Sequence, residues 1–402
     1  MKGKKIALLL GVLMLGALLL VGCAVEEPIT PVEQESKEPV EVVAASYVGS
    51  ESCKTCHSGA YEGWMGTEHP FMIQDASEIW PESKAALEAE LAKGDSKFLK
   101  IGDTDKNLQS LDDIVYIVGQ WKKQRFVVKT DEGFKFLQTQ YYPDGNEGSK
   151  LYSYGENKVY EDRCLACHST GFDLEATKTL DRTAADYMLE NVVAELGVGC
   201  ESCHGVGSEH AKAPKDNIIN PANLTVAQQN DLCGSCHARN SGNKEFTARN
   251  DAVGYQIGDT LKDFVKVLSP ANNENVWKKV ENGEITAYYD KESGGKMRFW
   301  GDGSSSAHRQ QYNDLEYSMK FNIMSCSTCH DPHDTSALKG GSWEGLISLD
   351  LGSNTCTNCH TDIANWDLDE KMPKNAKSQN VKDIRQHTFG APKPAADISE
   401  TK

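Results

Sequence analysis

Twelve of the chain's 13 cysteines fall in six copies of Cys-x-x-Cys-His. These are Cys53/Cys56/His57, Cys164/Cys167/His168, Cys200/Cys203/His204, Cys233/Cys236/His237, Cys326/Cys329/His330 and Cys356/Cys359/His360. Two cysteines three apart on a helical turn share one face, where both sulfurs can form thioethers with the two vinyl groups of a haem. The histidine that follows is carried round to the iron as its proximal ligand. A disulfide framework has no use for a histidine after every second cysteine, and zinc ribbons need no six trailing histidines in one chain. The pattern reads as six covalently bound haem c groups, each holding one iron.

Of the 11 histidines, six are proximal, leaving His69, His210, His308, His333 and His387 as distal ligands for low-spin bis-histidine irons suited to electron transfer. His333 lies three residues after His330, and His210 six after His204. Neither segment can easily pass round a porphyrin edge to the opposite face of the same iron, so each is expected to serve a neighbouring haem. Five distal histidines do not fill six sites. One iron is left open, or another chain donates a ligand, or a methionine fills the place, from Met65, Met72, Met188, Met297, Met319, Met324 and Met372. A Met/His iron would have a higher potential than its bis-histidine neighbours.

The elements that position these residues begin outside the cytoplasm. Lys2, Lys4 and Lys5 precede an unbroken run of apolar and glycine residues from Ile6 to Val21, which ends in Leu20-Val21-Gly22-Cys23. This resembles a bacterial lipoprotein signal, cut before Cys23 and lipidated on its sulfur; a retained helical anchor is the alternative. With six Glu, three Pro and one Lys, residues 24–46 read as a solvated tether spanning about 25–30 Å as a coil. The expected location is the cell envelope, as an outer-membrane lipoprotein facing the periplasm or the exterior. Lys and Arg number 42 against 59 Asp and Glu, a formal charge of −17. That balance argues against nucleic acid as a partner.

The spacing of the motifs sets the domain plan. From Cys53 to Cys164 is 111 residues, the next steps are 36 and 33, then 93, then 30. Short steps leave little polypeptide per haem, so the porphyrins must form much of the core. The plan is a signal at 1–22, a tether at 23–46, a region with haems 1–4 at 47–240 carrying a β insertion near 100–160, a hairpin insertion at 241–305, and a C-terminal region with haems 5 and 6 at 306–402. In the first insertion, Val115–Val118, Arg125–Lys129 and Phe134–Leu137 are β-rich runs, with Asp131-Glu132-Gly133 as a turn. In the second, Glu284–Tyr289 and Met297–Trp300 read as a hairpin across Ser293-Gly294-Gly295. Helices are expected before the motifs. Leu189, Val192, Val193 and Leu196 form a stripe before Cys200, Thr225 and Gln228 fit a capping box before Cys233, and Tyr312, Leu315 and Met319 share a face before Cys326. These stripes read as haem-facing packing.

Several stretches together resemble the cytochrome c-554 / c-prime multihaem family. They are Tyr47 to Cys53 continuing through Trp64 and His69, Gly197 to Gly205 with Gly207-Ser208-Glu209-His210, Cys233 to His237, and Cys326 to His333. The resemblance implies a mainly α, haem-packed fold with little regular structure, here with small β-hairpin insertions, and a role in passing electrons. By position, His69, His210 and His333 match the family's distal ligands and His308 a histidine before the fifth motif. Where relatives have Ser-x-His, this chain has Ser318-Met319-Lys320. Met319 therefore becomes the best methionine candidate for a sixth ligand, or marks the open haem.

The expected function is a lipid-anchored six-haem cytochrome relaying electrons between donor and acceptor redox proteins, with extracellular acceptors among them. Two alternatives stand beside it: reduction of nitrite or hydroxylamine at one open haem, and a haem wire in which a neighbouring chain supplies the missing ligand. No cluster of Lys, Arg, Tyr and His near one motif marks a substrate pocket in the sequence, and the oligomeric state is open.

Overall fold

A computed structural model describes residues 45–120, 123–143, 151–155, 158–246, 248–272, 274–292, 294–333, 360, 368–378 and 381–390. The signal, Cys23, nearly all of the tether, Cys356 and Cys359 lie outside the described residues.

The long first gap between motifs is filled by a five-stranded antiparallel meander of β1 (Gln74–Asp75), β2 (Ile114–Val118), β3 (Gln124–Thr130), β4 (Gly133–Tyr141) and β5 (Leu151–Ser153). Its strands read as continuous apolar runs because both faces are covered. Successive residues alternate between two cores, as a period of two requires. Tyr116, Val127 and Phe136 enter one core with Tyr160, Leu165, Leu189 and Val192. Ile117, Phe126, Val128 and Leu137 enter the other, with Leu87, Leu99 and Leu108. The register agrees, pairing Val127 with Phe136 and Ile117 with Phe126. The second face is covered by helix Pro81–Leu91 and the loop after it, and the first by residues 160–192, which carry the second motif.

This sheet is larger than the small hairpins expected, while the short elements agree with little regular structure. Among the described residues only helices Pro81–Leu91 and Val226–His237 exceed eight residues. The second insertion is also larger than expected. Glu284–Asp290 pairs with Met297–Trp300, and a further strand, Val276–Glu281, pairs with its other edge. The two strands are joined through Asn282 and Gly283, with φ of 52° and 83°, the left-handed pair of a tight hairpin turn.

The stripe before Cys200 is not a helix. Leu189–Asn191 is a single 3-10 turn and Glu195–Leu196 pairs with Ser169–Thr170. Leu189 and Val192 are buried in the protein core. The local contacts explain this: Ala194 N–H bonds the Thr170 carbonyl, and Gly197, at φ 79°, sits so close to Pro70 that a side chain there would overlap its carbonyl.

The helix before Cys233 forms as read. Val226–His237 is capped by a Thr225/Gln228 box and carries the fourth motif in its last turn. Helix Gln311–Tyr317 lies against it, with the Tyr312 ring filling the space that a side chain at Gly234 would need and its hydroxyl donating to Asp231 at 2.6 Å. Buried Asn230 donates to the carbonyls of Phe321 and Met324, and its side-chain oxygen accepts from Cys326 N–H at 2.8 Å. The fourth-motif helix thereby sets the place of the fifth motif.

Candidate functional site

Each of the five described Cys-x-x-Cys-His segments folds into one tight turn. His57, His204 and His330 donate backbone N–H to the carbonyl of the first cysteine of their motif, at 2.9–3.1 Å, and the second cysteine bonds the same carbonyl at 3.1–3.2 Å. Both thiols and the imidazole are gathered within one turn. All ten described motif cysteines and all 11 histidines line one branched cavity of about 2730 Å³. That exceeds severalfold the roughly 300–1,000 Å³ of a pocket for one small molecule. None of the ten cysteines is in a disulfide.

Within the cavity the histidines meet in pairs. His57 faces His210 with ring centres 6.2 Å apart, His204 faces His333 at 6.1 Å, His69 faces His237 at 6.2 Å, and His330 faces His387 at 6.2 Å. Two nitrogen–metal bonds of roughly 2 Å each, with the two half-rings behind them, fill that span. Among the described residues, no group of three or more metal-binding side chains converges as a bare ion would need. Ligands supplied in opposed pairs suit an iron whose other four positions are taken by a porphyrin. The residues present therefore fit haem c.

Hydrogen bonds aim the rings. His204 Nδ1 is 2.8 Å from the Ile219 carbonyl, His210 Nδ1 3.0 Å from that of Asp216, and His387 Nδ1 3.1 Å from that of Arg385. Each carbonyl accepts from Nδ1–H, which leaves the Nε2 lone pair for the cavity. Three buried rings, His168, His237 and His387, are also held neutral, the form that ligates. Desolvation pushes His168 and His387 down to about 3, and His237, exposed to the cavity but enclosed by protein, to about 4.

Motifs distant in sequence touch. The Cys53 thiol lies beside Cys200, Cys167 beside Cys236, and Cys233 beside Cys326. Polar bonds fix the first of these junctions. Ser50 Oγ accepts from Cys200 N–H at 2.9 Å and donates to Glu195 at 2.8 Å, and Trp64 Nε1–H donates to the Val198 carbonyl at 2.9 Å. The buried Glu201 carboxylate accepts from the backbone N–H groups of Val48, Gly49 and Gly207. Glu201→Gln removes the charge from all three bonds and is expected to cost about 1.5–3 kcal/mol. The check is a lower thermal midpoint at unchanged haem content.

His333 reaches His204 because helix Ser58–Met65 lets its loop approach. A methyl group on Gly63 would overlap the His333 carbonyl. Gly63→Ala should displace that loop at a cost of about 1–3 kcal/mol. In the reduced protein the expected readout is partial high-spin character in one haem.

The second motif differs. The Nδ1 of His168 lies 2.6 Å from the hydroxyl of fully buried Tyr160, not from a carbonyl. Among the described residues neither His168 nor His308 makes a ring contact with another imidazole, but both have Lys123, Arg125 and Arg309 as charged neighbours. Met319 does not fit the ligand role expected of it. Helix Gln311–Tyr317 ends before it, and its side chain is 64% exposed and outside the cavity lining, whereas Met324 and Ile323 are part of that lining. Met72 and Met372 also border the cavity. The basic cluster around His308, absent from the sequence reading, joins residues from three separate segments.

Comparison with known proteins agrees with the opposed imidazoles. The family model described as cytochrome c554 and c-prime matches residues 119–205, which span the second and third motifs. The chain is a multihaem c-type cytochrome. It is 22% identical over 219 residues to the multiheme cytochrome MtrA of Shewanella baltica, covering 53% of this chain and 56% of that protein. It is 27% identical over 190 residues to the C-type polyheme cytochrome OmcC of Geobacter sulfurreducens, covering 44% of this chain and 21% of OmcC. The cytochrome thus matches about half the length of one curated relative and a fifth of the other. The outer cell wall cytochrome OcwA shares its fold, with a TM-score of 0.51 and 19% identity over 85% of this chain and 79% of that one. Among the described residues no helix is long and apolar enough to cross a membrane.

Proposed function

We propose that the cytochrome carries six haem c groups and relays electrons between redox proteins of the cell envelope, held to a membrane by lipid on Cys23. The observation that carries this reading is the set of four opposed imidazole pairs in one cavity. Haem c, when bound, supplies a one-electron ferric/ferrous couple. The rest of the work belongs to the chain. The motif cysteines fix each group covalently, and His57, His168, His204, His237, His330 and His360 serve as proximal ligands. His210, His333, His69 and His387 would be the second ligands for the haems of the first, third, fourth and fifth motifs. With an imidazole on each side, a haem held at those four sites would have no open place for a small ligand, which favours relay over substrate chemistry there.

The contiguous thiols set the path. Junctions between motifs one and three, two and four, and four and five leave no thick protein layer between neighbouring groups. Partners are expected to be transient, since electron-transfer encounters use small interfaces. The likeness to an outer cell wall cytochrome supports a place in the envelope. A redox titration of the purified protein tests the reading: six one-electron couples are expected, and fewer in fully loaded protein would contradict it. Anchoring is tested separately. Cys23→Ser should move the cytochrome from the membrane fraction to the soluble fraction, and a variant that stays membrane-bound refutes lipidation.

A further inference from the structure

The second motif lies beside a cluster of positive charge, with Arg309, Arg125 and Lys123 as charged neighbours of His168. Arg309 and Arg239 each bury a guanidinium Nε that has no hydrogen-bond partner among the described residues. Arg239 Nη2–H donates to the His308 carbonyl at 2.9 Å, which fixes the guanidinium against the histidine loop. Arg309 and Arg298 are neighbouring cations of Arg239. Arg298 is accounted for by Asp290 at 3.8 Å, the carboxylate that also faces Arg239. Arg309 has φ 61°, a conformation that side chains rarely adopt and that the surrounding fold must enforce. Lys123, Arg125, Arg239, Arg298 and Arg309 all border the cavity.

Buried guanidinium N–H groups that the protein leaves unmet are costly unless something else meets them. Four motif histidines are each faced by a second imidazole, and this corner, at His168, shows no such pair among the described residues. We propose that Arg239 and Arg309 form an anion site beside the second motif, taking negatively charged oxygen. The guanidinium fork matches carboxylate and oxyanion geometry. Two sources supply that chemistry: the propionates of the haem joined to Cys164 and Cys167, or a small diffusible oxyanion such as nitrite or sulfite. The inference rests on haem attachment at the second motif, which the mass of the protein checks independently.

The experiment uses the full, haem-loaded chain with Arg239→Gln and Arg309→Gln. If propionates occupy the site, losing a cation makes reduction harder. One couple then moves to lower potential while the others stay, and Arg239→Lys, which keeps the charge, restores it. If a diffusible anion is the occupant, nitrite or sulfite added to the wild-type protein at low salt produces a saturable change in the visible spectrum of one haem. The glutamine variants then bind about tenfold more weakly or worse. Should those variants fail to acquire haem, Arg309→Lys, which loses the fork, gives the same readings with smaller shifts. If all couples of the variants match the wild type and neither anion perturbs any wild-type haem, the proposal is wrong. Normal haem content in that result separates this failure from failure of haem attachment.

Discussion

Replacing His333 with Ala is expected to open one haem to carbon monoxide, and that haem is the one attached at Cys200 and Cys203, not the one three residues upstream of the substitution. His333 follows the fifth motif, yet its ring faces His204 of the third motif at 6.1 Å, while His330 faces His387 at 6.2 Å. The His333→Ala and His387→Ala variants should each gain one carbon monoxide-binding haem in the reduced state, and the double variant two. Were His333 and His387 rivals for one iron, the double variant would gain only one. The effect is all-or-none for the affected iron, because loss of a distal imidazole leaves an open coordination position. Covalent attachment is untouched, so haem content stays constant and the readout is independent of folding yield.

The second large effect is spectroscopic. In three pairs the imidazole planes lie 22°, 23° and 29° apart, whereas His69 and His237 cross at 80°. Near-parallel rings interact with one iron d orbital more than with its partner, which gives a rhombic low-spin ferric signal. Crossed rings treat the two orbitals alike and give a far more anisotropic signal. The oxidised cytochrome is expected to show one strongly anisotropic low-spin species alongside the rhombic ones in electron paramagnetic resonance. His69→Ala should remove that species alone and add a high-spin signal. A wild-type spectrum with rhombic signals only, or a His69→Ala variant that keeps the anisotropic one, contradicts the His69–His237 pairing.

Much of this site could be read from spacing because covalent chemistry is local. The thioether motif needs two cysteines and a histidine within five residues, and nothing in the tertiary fold can move them apart. That His210 faces His57 and His333 faces His204, rather than the histidine of its own motif, was legible for a similar reason, since short tethers limit reach. The angle between His69 and His237 was not legible, because it depends on backbones 168 residues apart. Met319 misled because a family position predicts a role only while the helix continues, and Gln311–Tyr317 ends first.

The sheet was under-read. Val115–Val118 and Phe134–Leu137 gave strands, but runs buried on both faces do not reveal how many partners they have. The strand Val276–Glu281 carried a signal that could have been used: Asn282-Gly283 directly before Glu284 is a strong hairpin marker. The stripe before Cys200 satisfied a helical period by coincidence, and the strand pairing with Ser169–Thr170 decided otherwise. The basic corner at His308 stayed hidden because Lys123, Arg125, Arg239, Arg298 and Arg309 lie far apart in the chain.

The central claim is that every Cys-x-x-Cys-His segment holds a porphyrin by two sulfurs. Intact mass spectrometry of the purified mature protein, before and after alkylation under denaturing conditions, tests it most directly. The account predicts a mass increased by six haems and no alkylation of the 12 motif cysteines. A mass equal to the bare polypeptide, or motif thiols that alkylate, would contradict it.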